Sequence, residues 1–144
     1  MGPATDPDIR LHHVGFVVAS IADCVQGFRG SASADWDEKI FHDALQKARV
    51  AFLQTPCRTD AMIELVEPTG EDSPVFQFLK RGGGLHHLCY EVENLDGHLI
   101  RMRRNGAVVV RRARPAVAFE NRRIAWTLTR EKLLLEFLER KTTS

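Results

Sequence analysis

The sequence predicts an α+β fold of two tandem modules, each a strand, an amphipathic helix and then two or three further strands. Three observations predict it. His12-His13-Val14-Gly15-Phe16 recurs 74 positions later as His86-His87-Leu88-Cys89-Tyr90. The same offset of 74 relates Ser20 to Asn94, two residue types that favour helix N-caps. It also relates Arg49-Val50-Ala51-Phe52-Leu53 to Arg123-Ile124-Ala125-Trp126-Thr127. A row of matches in one frame marks an internal duplication.

Each element follows from its own pattern. In the first strand Val14, Phe16 and Val18 alternate onto one face, which suits packing under a helix, while His13, Gly15 and Val17 face the other way. In the second copy Leu88, Tyr90 and Val92 take the helix side and His87 lies with Cys89. After Ser20, Ile21, Val25 and Phe28 mark one helical face, and Leu95, Leu99 and Met102 repeat it after Asn94. Ile63-Glu64-Leu65-Val66-Glu67 matches Leu135-Glu136-Phe137-Leu138-Glu139 at an offset of 72, so one hairpin of the second copy is two residues shorter. The weak stretches Asp37 to Phe41 and Arg112 to Ala118 are expected to hold the extra strand of each copy. Between the copies, Ser73-Pro74 starts a short helix with Val75, Phe76, Phe78 and Leu79 on its apolar side. Gly82-Gly83-Gly84 stops it. The expected organisation is one domain over residues 11–140, with module 1 at about 11–68, a linker helix at 73–81 and module 2 at about 84–140.

Bulk properties narrow the function. The 144 residues are 44% hydrophobic and carry a formal charge of +1, so net charge points to neither a nucleic-acid nor a membrane partner. Two basic clusters stand out: Arg101, Arg103 and Arg104, then Arg111, Arg112 and Arg114. They read as solvated surface, or as a landing site for a phosphate-bearing ligand or an acidic carrier protein. Cys24, Cys57 and Cys89 are odd in number and lack CxxC spacing, which argues against a disulfide framework and a zinc knuckle. The polar N-terminus is unlike a signal peptide, and no apolar run approaches the about 20 residues of a membrane span. A cytoplasmic protein is expected.

The candidate site rests on duplicated polar residues. Glu64 shares its strand face with Met62 and Val66, and Glu136 with Leu134 and Leu138, while the opposite faces are apolar too. A carboxylate in a strand apolar on both sides is shielded from water, and an isolated buried charge is costly. No lysine or arginine alternates into these strands at the carboxylates, so a divalent metal is the economical partner. The small neighbours Gly15 and Cys89 leave space around His13 and His87, like the inside of a cup. Pseudo-symmetry would bring His13, His87, Glu64 and Glu136 to one axis. Imidazole with carboxylate suits Zn, Co, Ni, Mn or Fe(II) better than Ca. His12 and His86 face the other side and read as structural; His42 and His98 are isolated.

On these residues the chain resembles the vicinal oxygen chelate superfamily, from about Leu11 to Arg140. Within it, the chain is most similar to methylmalonyl-CoA epimerases and their glyoxalase neighbours. The similar stretches are Val50-Ala51-Phe52-Leu53, Met62-Ile63-Glu64-Leu65-Val66-Glu67-Pro68, Ser73-Pro74 to Phe78-Leu79, and Gly84-Leu85-His86-His87. The resemblance implies paired βαβββ modules in an open barrel-like cup, metal ligands at His13, His87 and Glu136, and a fourth at Glu64. It implies an epimerase or isomerase that removes the proton α to a thioester carbonyl, with Glu136 and Glu64 as catalytic carboxylates, an acyl-CoA or other thioester substrate, and a homodimer. A glyoxalase I-like lyase acting on a hemithioacetal, or a metal-free binding protein of the same fold, is the alternative. There are departures. Val50 stands where some relatives have a second catalytic glutamate, Gln26-Gly27-Phe28-Arg29-Gly30 reads as a shorter, glycine-broken helix, and Thr127-Leu128-Thr129-Arg130 replaces a His-Pro-Lys turn.

Overall fold

The computed structural model describes residues 6–141. The described residues pack as two units, one spanning His13–His87 and the other formed by residues 88–141 together with residues 6–12.

In the His13–His87 unit the order is β1 (Arg10–Val17), α1 (Ile21–Ala32), β2 (Asp35–Trp36), β3 (Phe41–Asp43), β4 (Ala48–Gln54), β5 (Met62–Pro68) and α2 (Phe76–Lys80). Strand β5 is central: His13 to Val17 pair with it in parallel, β4 pairs with it antiparallel, and β2 and β3 both pair with β4. One face packs under α1, where Ile21 and Val25 meet Ala51, Leu53 and Leu65, with Phe16 and Val18 alongside. Val17, Val50, Val66 and Val75 form a second cluster with Phe78 and Leu79. The alternation expected for the first strand is therefore observed. Burying these clusters supplies about 25 cal/mol per Å² of apolar surface removed from water.

The other unit repeats the plan with β6 (Gly84–Val92), α3 (Leu95–Arg104), β7 (Val108–Pro115), a 3-10 turn (Val117–Phe119), β8 (Arg123–Leu128) and β9 (Leu134–Glu139). Leu88 to Val92 run parallel to β9, β8 pairs with β9 antiparallel, and β7 pairs with β8. Val92, Leu95, Leu99, Ala125 and Phe137 form its core. Both helix caps are as expected: Ser20 Oγ accepts from Asp23 N at 3.1 Å and Asn94 Oδ1 from Gly97 N at 3.0 Å. The two-residue slip is found as well, since residues 55–61 join β4 to β5 whereas residues 129–133 join β8 to β9.

Four expectations shift. The stretch Asp37 to Phe41 is not one strand. Glu38 takes a left-handed φ of 65° and Trp36 Nε1 donates to Lys39 O at 3.1 Å, so a turn splits the extra strand into β2 and β3. In the second copy the strand starts at Val108, because the β-branched run Val108-Val109-Val110 is its strongest part, and it ends at Pro115 before the 3-10 turn. Helix α1 is unbroken over 12 residues despite Gly27 and Gly30. Helix α2 is N-capped at Val75 without a side-chain bond, while Ser73 Oγ donates to Gln46 O at 2.5 Å. Gly83 ends it with φ 66° and its N–H on Phe78 O; a side chain there would strike Val17 O. None of the three cysteines is in a disulfide. Among the described residues no helix is long and apolar enough to cross a membrane.

Candidate metal centre

Strands β1, β5 and β6 each place one polar side chain into the apolar interior of the His13–His87 unit. His13 is 0% exposed, His87 3% and Glu64 5%. The pairing of β1 with β5 sets Gly15 beside Glu64 and His13 beside Met62. His13 packs edge-on against Phe52, with ring centroids 5.5 Å apart, and Phe52 is the antiparallel partner of Glu64.

The three heads converge. His13 Nε2 lies 3.3 Å from His87 Nε2, His87 Nε2 lies 3.1 Å from Glu64 Oε1, and His13 Nε2 lies 3.7 Å from the same oxygen. Yet Glu64 Oε1 has no hydrogen-bond partner. A ring N–H aimed at it would stabilise the buried carboxylate; instead the two ring nitrogens lie within hydrogen-bond distance of each other, and the three atoms form a compact triangle. A triangle with these sides has a circumradius of about 2.0 Å. That is the length of a bond from a divalent transition metal to imidazole nitrogen or carboxylate oxygen. The residues present therefore fit a divalent metal ion.

Electrostatics agree. Burial pushes the His13 imidazole down to about 4; Glu64 pulls it up and His87 pushes it further down. At neutral pH His13 therefore keeps its lone pair, the form a metal binds. His86, expected to be structural and on the opposite side, contacts His87. Its Nδ1 meets His87 Nδ1 at 2.9 Å, its ring packs edge-on to Phe78 at 4.9 Å, and burial, then the charge of His87, lowers its pKa to about 4. His12 does pack structurally, edge-on to Phe119 at 5.4 Å. His42 is exposed on β3, and His98 lies over Phe137 at 4.4 Å. The space expected around Gly15 is filled: a Cβ there would sit 2.1 Å from His87 Cε1, so the missing side chain makes room for the ring.

Glu136 belongs to the other unit. It lies 2% exposed on β9, paired with Cys89 of β6 and Trp126 of β8. Its place there repeats that of Glu64, which pairs with Gly15 of β1 and Phe52 of β4.

The family model of the Glyoxalase/Bleomycin resistance protein/Dioxygenase superfamily matches residues 12–126. The chain belongs to that superfamily. Among relatives in it, an ethylmalonyl-CoA/methylmalonyl-CoA epimerase of Cereibacter sphaeroides is 31% identical over 110 residues, covering 75% of this chain and 79% of the relative. A methylmalonyl-CoA epimerase structure from Mycobacterium tuberculosis superposes with a TM-score of 0.79 at 29% identity, over 92% of this chain and 88% of that one. A hypothetical protein from Bacillus halodurans C-125 gives 0.80 at 27% identity, over 95% and 98%. The fold is the vicinal oxygen chelate fold. The expected βαβββ modules are thus both present, with the first module's extra strand in two pieces.

Proposed function

We propose that the chain is a metal-dependent epimerase that removes and returns the proton α to the carbonyl of an acyl thioester. One observation carries it: two buried imidazoles and a dry carboxylate converge at metal-ligand spacing. The relatives named as ethylmalonyl-CoA or methylmalonyl-CoA epimerases support an acyl-CoA substrate.

His13, His87, Glu64 and Glu136 are the proposed ligand set, for Co, Zn, Ni, Mn or Fe(II). The duplication supports including Glu136, because it occupies in one module the position that Glu64 holds in the other. Once bound, the ion supplies a Lewis acid that stabilises charge developing on the thioester oxygen, a contribution of several kcal/mol in a dry site. The chain's residues do the proton work. Glu136 accepts the α-proton on one of its carboxylate oxygens, and Glu64 handles the proton on the opposite face. Phe52 and the buried strand faces around Glu64 exclude water, so the carbanion is not quenched at random. His86 holds the His87 ring through its Nδ1 contact. The family resemblance further supports a homodimer, for which light scattering is the direct measurement.

The test is incubation of metal-loaded protein with a chiral methylmalonyl-CoA and related acyl-CoAs in deuterated water. Exchange of the α-hydrogen at a catalytic rate, lost on chelation and regained with metal, is expected. Absence of exchange across the panel, with turnover of a methylglyoxal–thiol adduct instead, would move the chain to lyase chemistry.

A further inference from the structure

Residues 97–119 hold six of the chain's 20 Lys and Arg and none of its 19 Asp and Glu, leaving the remaining residues with five more negative than positive charges. Ion pairs neutralise Arg122, Arg123 and Arg140 in the same unit. Arg111, Arg112 and Arg114 have no such partner among the described residues.

The strand register shows which sheet face two of these arginines occupy. Ala125 packs with Leu95 and Leu99 under α3, so its strand neighbours Ile124 and Trp126 stand on the opposite face of β8. Glu136 pairs with Trp126 and shares that face. Strand β7 does not run in simple register with β8: shifts fall between Val109 and Arg111 and again between Arg111 and Arg114. Val109 sits with the α3 core, and a regular strand would send Arg111 there too. The first shift instead sets Arg111 opposite Trp126, and the second sets Arg114 opposite Ile124. Bulges re-aim side chains in this way. Arg111, Trp126 and Glu136 thus form one row across three strands, with Arg114 beside it.

We propose that Arg111 and Arg114 receive the phosphates of the coenzyme A portion of the substrate. This rests on the epimerase reading above. Charge favours the phosphates over a carboxylate on the acyl group: a cluster of arginines on β7, unpaired among the described residues, matches a multiply charged diphosphate better than a single carboxylate. Two arginines suit a diphosphate through paired charge-assisted hydrogen bonds.

The experiment compares wild type with Arg111→Gln/Arg114→Gln, on an acyl-CoA and on the same acyl group carried by pantetheine, which lacks the phosphates. The double variant is expected to raise KM for the CoA thioester about tenfold or more, with kcat nearly unchanged and KM for the pantetheine thioester unchanged. Binding of free coenzyme A, measured by calorimetry at two salt concentrations, should weaken in parallel and lose salt dependence. Arg58→Gln, at an exposed loop position, should leave all these values at wild type. Equal effects on both thioesters, or none on either, overturn the proposal while leaving the epimerase reading intact. Wild-type protein that turns over neither thioester overturns that reading instead.

Discussion

Gly15→Ala adds one methyl group to the site, and its consequence follows from a distance. The new Cβ would lie 2.1 Å from His87 Cε1 and 2.5 Å from both ring nitrogens. Carbon–carbon contact is comfortable only at about 3.5–4.0 Å, so the ring must retreat by well over 1 Å. Metal ligation tolerates displacements of only about 0.2 Å. His87 Nε2 therefore leaves the point it shares with His13 and Glu64. The overpacking itself costs about 1–3 kcal/mol. Gly27→Ala is the matched control, since nothing lies within 4 Å of its Cβ in α1 and a helix-interior alanine gains about 0.5–1 kcal/mol. Metal titration followed by thermal unfolding of the metal-free and loaded forms makes the comparison. Gly15→Ala should bind metal at least tenfold more weakly and lose the metal-induced rise in Tm, whereas Gly27→Ala keeps both. A Gly15→Ala protein that binds metal like wild type would show that His87 is not a ligand, and the site would fall with it.

Other consequences are simpler to state. Glu64→Gln keeps the shape but removes the charge, so metal affinity should fall by about 10–100-fold; unchanged affinity would assign Glu64 no part in binding. Ser20→Ala and Asn94→Ala each remove one N-cap and should cost about 1 kcal/mol in denaturant unfolding, with effects that add because the caps share no partner. Hydrogen bonds from Arg123, first of all, hold the Glu139 carboxyl below the usual carboxylate range. Its folded pKa is below its unfolded one, so its contribution is full above the unfolded value of about 4.5 and fades as pH falls through the folded value. Both side chains are about one-third exposed, so the amount is below about 1 kcal/mol, and Arg123→Gln should flatten that part of an acid-unfolding profile.

Most of the fold was legible because duplication repeats every signal twice. Ser20 and Asn94 cap as expected, and Ile21, Val25, Leu95 and Leu99 are the buried helix positions. The offset change from 74 to 72 correctly located a hairpin of different length. The extra strand was harder to read. In the first copy it is two short pieces separated by a left-handed Glu38, and so few residues show no period. In the second, the bulges of β7 break the alternation on which strand reading depends, and they hid the facing of Arg111 and Arg114. Of the candidate site, the convergence of His13, His87 and Glu64 was legible as imidazole and carboxylate in apolar strands. The reason for Gly15 was not. Small size signals room, but only coordinates say that the neighbouring strand's imidazole fills it.

His86 shows where strand parity misleads. Consecutive residues of a strand face opposite ways, so a histidine next to a site histidine reads as belonging to the other side. Its equivalent His12 keeps to that rule against Phe119. In β6 the two rings lie nearly perpendicular, at 88°, and their Nδ1 atoms meet at 2.9 Å. One of those nitrogens must donate and the other accept. With the proton on His87 Nδ1, His86 accepts, and His87 Nε2 turns a lone pair toward His13 Nε2 and Glu64 Oε1. With the proton on His86 instead, His87 would carry its own on Nε2 and donate it to His13 Nε2 at 3.3 Å, leaving no lone pair there for a metal. The first arrangement lets three buried donor atoms face one point, where a cation would relieve the repulsion of a lone pair beside a carboxylate. In the proposed site, a residue outside the ligand set thus sets the tautomer that would let His87 bind metal.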